Sequence, residues 1–131
     1  MTEPDDRTSP HKNRVGLVRI WRALLYSFAG LASAFRTEPA FRLEVAGAAV
    51  LVPIAVGLPA TLVQTALLLG AVLLVLVVEL LNSAVEATVD RISLDNHELS
   101  RKAKDLGSAA VFVSLVNGAV VWGLVLYDIF G

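Results

Sequence analysis

The sequence predicts an all-α integral membrane protein: three membrane-crossing helices preceded by an amphipathic surface helix. Three observations carry this. Hydrophobic residues make up 56% of the 131 residues, and the mean hydropathy of +0.68 lies outside the usual soluble range. Two stretches, between Glu44 and Glu79 and between Asp105 and Asp128, hold no charged residue, and both exceed the run needed to cross a bilayer. All 11 basic residues fall in two segments, Arg7 to Arg42 and Arg91 to Lys104. A net charge of −1 excludes the basic profile of a nucleic-acid binder. With no Cys and only 2 His, disulfide frameworks, thiolate sites and histidine cages are excluded as well.

Residues 1–13 (MTEPDDRTSPHKN) are polar and without apolar period, which predicts a disordered cytoplasmic tail ahead of a single membrane domain over 14–131. From Gly16 to Phe35 the residues Leu17, Trp21, Leu24, Phe28, Leu31 and Phe35 recur at alternating spacings of four and three, lining one face of a helix. Arg19, Arg22, Tyr26 and Ser33 fall on another face. Such a helix, over 16–35, suits the inner membrane surface, with Trp21 at headgroup depth and arginines reaching phosphates. Its apolar positions are spaced rather than continuous, unlike a signal peptide.

The uncharged run after Glu44 would be about 51 Å long as one helix, against a hydrocarbon core of about 30 Å, so it must fold back. Gly57-Leu58-Pro59 marks the break, with Thr61 as N-cap of the returning helix. The spans are then about 41–58, 61–89 and 104–129. Pro53 lies inside the first, where membrane helices tolerate it. The positive-inside rule places the N-terminus and the 90–104 loop in the cytoplasm, and the Gly57 turn and the C-terminus outside. This is a multi-pass membrane topology.

Glu79, Asn82, Glu86 and Asp90 stand at offsets that put all four within about 60° on one helical face. Glu79 lies near the cytoplasmic edge of the hydrocarbon and Glu86 about 10 Å beyond it. One reading is that these carboxylates pair with arginines to fix helix register. The other is functional, because an ionisable group at this depth is costly to place. Glu38, Arg42 and Glu44 open the first span and Lys104 and Asp105 the third, at the same level. Carboxylates and cations in one layer are what phosphoryl transfer from a Mg-nucleotide requires: Mg²⁺ takes one or two carboxylates plus phosphate oxygens, and a further carboxylate accepts a hydroxyl proton. Neither GxxxxGK[ST] nor GxGxxG is present. In the third span, Ser114 and Asn117 are expected to hydrogen-bond between helices, and Gly107, Gly118 and Gly123 to permit close helix packing. His97 either meets phosphate or is solvated.

The segments VELLNSAVEATVDRI (Val78 to Ile92), HELSRKAKDLGSAA (His97 to Ala110) and, more loosely, RIWRALLYSFAGL with TEPAFRLE (Arg19 to Glu44) resemble the bacterial integral-membrane diacylglycerol kinase family, over about residues 17–131. The resemblance implies an ATP-dependent lipid kinase that makes phosphatidic acid from diacylglycerol, built as a helical-bundle homotrimer with sites shared between neighbours. It implies Glu79 as general base, Glu38 and Glu86 as Mg²⁺ ligands that also bind ATP, and Arg19, Tyr26, Asp95, Asn96, His97, Lys104 and Asp105 as further ATP contacts. Arg19, Glu79, Ser108 and Trp122 would meet the lipid, with Asn82 and Asp90 in support. Thr37, Leu43 and the Asp95-Asn96 pair depart from residues frequent in the family. A related branch phosphorylates undecaprenol with the same core residues. A small proton- or ion-coupled transporter subunit and a non-catalytic scaffold are the competing classes. A transporter's carboxylate belongs near the bilayer midplane, whereas Glu79 falls near one face.

Overall fold

A computed structural model describes residues 10–92 and 97–131, with side chains described from Arg14 onward. Among these residues there are four helices and no strand: α1 (Pro10–Thr37), α2 (Pro39–Gly57), α3 (Leu62–Ile92) and α4 (Glu98–Phe130). All four are long and apolar enough to cross a membrane. The chain is therefore all-helical and of membrane type.

α1 begins inside the segment expected to be a disordered tail, which corrects that expectation for residues 10–13; residues 1–9 lie outside the described residues. A proline as first helical residue loses nothing, since its missing N–H would have no partner there. α1 stops at Thr37 because Pro39 disfavours helical backbone at the residue before it. Glu38 accordingly sits at φ −112°, ψ 101° as the single residue between α1 and α2, and its side chain makes no capping bond. The joint is held by Arg42, whose Nη1 donates to the carbonyls of Phe35 (3.3 Å) and Arg36 (3.0 Å). These are end-of-helix carbonyls with no partner inside α1.

The turn between α2 and α3 also follows from a proline. Leu58, restricted by Pro59, takes extended backbone (φ −69°, ψ 148°) and ends α2. No residue in the described chain needs positive φ, so Gly57 acts here without left-handed backbone. Thr61 then caps α3 as its sequence position suggests: the Gln64 N–H donates to Thr61 Oγ1 (3.1 Å) and the Thr61 N–H to Gln64 Oε1 (3.0 Å). This reciprocal pair satisfies two donors that a helix start leaves open. Gln64 Nε2 also donates to Asp128 Oδ2 at 2.6 Å, tying the start of α3 to the end of α4.

α3 packs along α4 and α2, and α1 meets the rest chiefly through α2. The core lies towards the turn end of the bundle: Ala55, Leu68 and Val125, with Leu58, Leu69, Val121, Trp122 and Ile129 against them. Leu68 is fully buried. Leu68→Ala is expected to destabilise the bundle by about 1–2 kcal/mol in a detergent unfolding titration, against about 2–5 kcal/mol in a water-soluble core. Lipid or detergent, not water, is the alternative surrounding, so packing is lost without a transfer penalty.

Two packing expectations find no partner helix within the single chain. Ser114 is buried, but its Oγ donates to the Val111 carbonyl of its own helix (2.7 Å), and Asn117 is exposed on this chain. A serine satisfied within its own turn has no need of a second helix. Of the three glycines in α4, Gly107 alone meets another helix; a β-carbon at Gly118 or Gly123 would enter open space. The apolar face of α1 is exposed as well, Leu17, Trp21 and Phe28 each by more than half.

Candidate active site

A carboxylate inside an apolar helix must be surrounded by something that accepts it, and the company Glu79 keeps is acidic. Glu79 is 4% exposed on α3. Its main electrostatic neighbours are Glu86, two turns along the same helix, and Glu38, at the α1–α2 joint. Glu44 of α2 lies against it, carboxyl to carboxyl. One Glu44 oxygen, Oε2, is buried without a hydrogen-bonding partner. A pair of carboxyls pressed together in apolar surroundings calls for a proton or a cation between them. Fixing helix register would instead call for an arginine beside Glu79.

Asn82, 9% exposed, sits one turn from Glu79. Its Nδ2 donates to Glu86 Oε1 over 3.4 Å, so within this chain its amide supports Glu86. Lys104 reaches from α4 to Asp90 on α3 with Nζ–Oδ1 at 2.5 Å, and feels the charge of Glu86 as well. The sequence stripe from Glu79 to Asp90 is thus met from the α1–α2 joint and α2 by Glu38 and Glu44 and from α4 by Lys104.

Arg19 and Tyr26 are exposed on α1, and Asp105 and Ser108 are exposed on α4. His97 caps α4, its Nδ1 accepting from the Leu99 N–H at 3.1 Å. Asp95 and Asn96 lie outside the described residues.

Two spaces flank the acids. A cleft of about 600 Å³ between α1 and α3 is lined by Glu38 together with Ser27, Ser33, Thr37 and Ser83. A second cavity, about 350 Å³, lies between α2, α3 and α4. Its walls are apolar apart from Glu44 and Trp122, and the Trp122 indole N–H is buried without a partner. Among the described residues no three acid or imidazole groups converge tightly enough to cage a metal by themselves. Mg²⁺ does not demand a cage, since it is commonly held by one or two carboxylates plus nucleotide phosphates. Glu38 and Glu86 each lie within electrostatic reach of Glu79.

Glu44 is the residue that sequence reasoning left out of the site. A signal for it existed. Glu44 and Glu79 bound the uncharged run that must fold back near residue 60. Counted from the turn, they lie about 20 and 26 Å along their helices, roughly one helical turn apart in height.

The model of the prokaryotic diacylglycerol kinase family matches residues 25–126. The chain belongs to this family. The matched region takes in Glu38, Glu44, Glu79, Asn82, Glu86 and Lys104, and leaves Arg19 outside it. Among the relatives, the diacylglycerol kinase of Pseudomonas aeruginosa is 52% identical over 118 residues, covering 90% of this chain and 96% of that one. Those of Haemophilus influenzae and Escherichia coli K12 are 47% identical over 112 residues and 44% over 119. They cover 86% and 91% of this chain and 95% and 98% of their own.

Proposed function

We propose that this protein is a lipid kinase that transfers the γ-phosphoryl group of ATP to the free hydroxyl of diacylglycerol, giving phosphatidic acid and ADP. The observation that carries the chemistry is the buried Glu79 among other carboxylates at the level where α2, α3 and the α1–α2 joint meet. Family membership supports the lipid kinase activity itself.

In this reading Glu79 accepts the proton of the lipid hydroxyl as its oxygen bonds to the γ-phosphorus and the bond from phosphorus to the β–γ bridging oxygen breaks. The acyl chains enter beside Glu44 and Trp122, and the cavity there offers an apolar lining with two polar atoms near the glycerol. Glu38 and Glu86 would hold Mg²⁺, which when bound offsets charge on the transferred phosphoryl group. Lys104, across from Glu86, adds positive charge on the nucleotide side. Arg19, Tyr26, Asp95, Asn96, His97 and Asp105 remain candidates for ATP contact, and Ser108 for the lipid. Asn82 and Asp90 orient Glu86 and Lys104.

The arginines of α1 favour its lying on the inner membrane surface, with α2, α3 and α4 crossing and the N-terminus cytoplasmic. The exposure of the nucleotide candidates Arg19, Tyr26 and Asp105 on this chain favours a homotrimer, in which a neighbouring copy completes the site. The test is a labelled-ATP assay in mixed micelles with diacylglycerol and undecaprenol offered side by side. Label is expected in phosphatidic acid; label in undecaprenyl phosphate alone would move the substrate to the polyprenol branch, and label in neither would overturn the proposal.

A further inference from the structure

Glycine inside a helix costs stability relative to alanine, so a helical glycine that abuts another element invites the question of what it makes room for. Gly107, in α4, is such a residue. A β-carbon built there would overlap Oδ1 of Asn82 on α3 and stand 3.2 Å from its Cγ and 3.8 Å from its Cβ. At Gly16, Gly30, Gly47, Gly57, Gly70, Gly118 and Gly123 the same atom would meet nothing within 4 Å. Oδ1 of Asn82 therefore occupies the space a side chain at position 107 would need, and it is buried without a hydrogen-bond partner. Its other end, Nδ2, donates to Glu86 Oε1 at 3.4 Å.

These contacts form a chain from α4 backbone to Asn82 to Glu86. Asn82 is too buried to swing into solvent, so whatever occupies the space at Gly107 sets where its amide can point. We infer that Gly107 is a positioning residue for the metal-binding carboxylate: its missing side chain seats Asn82 so that the amide holds Glu86. The inference rests on the reading of Glu86 as a metal ligand. It assigns the glycine a purpose distinct from general helix packing, because a methyl group there would push on Oδ1 of the same amide whose Nδ2 holds the carboxylate.

The experiment is Mn²⁺ binding, followed by electron paramagnetic resonance with a non-hydrolysable ATP analogue, in wild type, Gly107→Ala, Asn82→Ala and the double variant. Gly107→Ala and Asn82→Ala are each expected to weaken Mn²⁺ by about tenfold, the scale for residues that orient a metal ligand. The double variant is expected to bind like Asn82→Ala, since the clash and the hydrogen bond vanish together. The KM for diacylglycerol should not move in any of them. Wild-type Mn²⁺ affinity in Gly107→Ala, or losses that multiply in the double variant, would overturn the inference. Should Gly107→Ala fail to fold, the double variant is expected to fold, and failure of both would equally overturn it. Glu86→Gln separates the two levels: unaltered Mn²⁺ binding there removes the metal role of Glu86, whereas weakened binding beside a normal Gly107→Ala removes only the part given to Gly107.

Discussion

Glu79→Gln is expected to leave a folded, ATP-binding protein whose turnover falls by about 10²–10⁴-fold. The substitution keeps the shape of the side chain and so opens no cavity next to Glu44 and Asn82. It removes the group that takes the hydroxyl proton, worth about 3–5 kcal/mol of barrier at that rate loss. Because Glu79 is surrounded by other acids, losing its charge also relieves repulsion, and the variant is expected to be at least as stable as wild type in a detergent unfolding titration. The contrast between stability and kcat is the diagnostic feature. A variant that unfolds early would assign Glu79 to the scaffold, and one that keeps wild-type kcat would remove it as the base.

Glu86→Gln should show the opposite kinetic pattern. The Mg-ATP affinity is expected to fall by on the order of tenfold to a hundredfold, as when a carboxylate–metal contact or its support is lost. The lipid KM should stay near wild type, because Glu86 lies further along α3 than the apolar cavity bordered by Glu44 and Trp122. Equilibrium binding of a fluorescent ATP analogue, titrated with Mg²⁺, checks this directly. Raising Mg²⁺ should recover part of the loss if the residue acts on the metal. Unchanged affinity at limiting Mg²⁺ would transfer the role to another group of the cluster.

How much of this could be read from the residues depends on which physical signal each feature leaves in sequence. The helices, the reversal at Gly57 to Thr61 and the face shared by Glu79, Asn82, Glu86 and Asp90 were legible, because hydropathy, proline and the 3.6-residue period are local properties. The start of α1 was not, since the polar residues 10–13 carry no apolar period and a proline in a first turn reads equally well as a loop. Three contacts were hidden for a different reason. Arg42 on the carbonyls of α1, Glu44 against Glu79, and Gly107 against Asn82 all depend on how one helix is rotated about its axis relative to another. Sequence spacing fixes which residues share a face but leaves that rotation open. The same limit explains Ser114, whose hydroxyl found a partner in its own helix where an interhelical bond was expected.

The central claim is that acids from separate helices share one thin layer near one membrane face, where a water-borne phosphate donor can meet a lipid alcohol. The chain contains no cysteine, so single spin-labelled cysteines at Glu38, Glu79 and Glu86, with a fourth at Thr61, report depth without interference. Power-saturation measurements in bilayers are expected to place the first three within about 10 Å of one another in depth, with Thr61 at the opposite face. Labels at Glu38 and Glu86 on opposite faces, or the three spread across the roughly 30 Å hydrocarbon core, would contradict it.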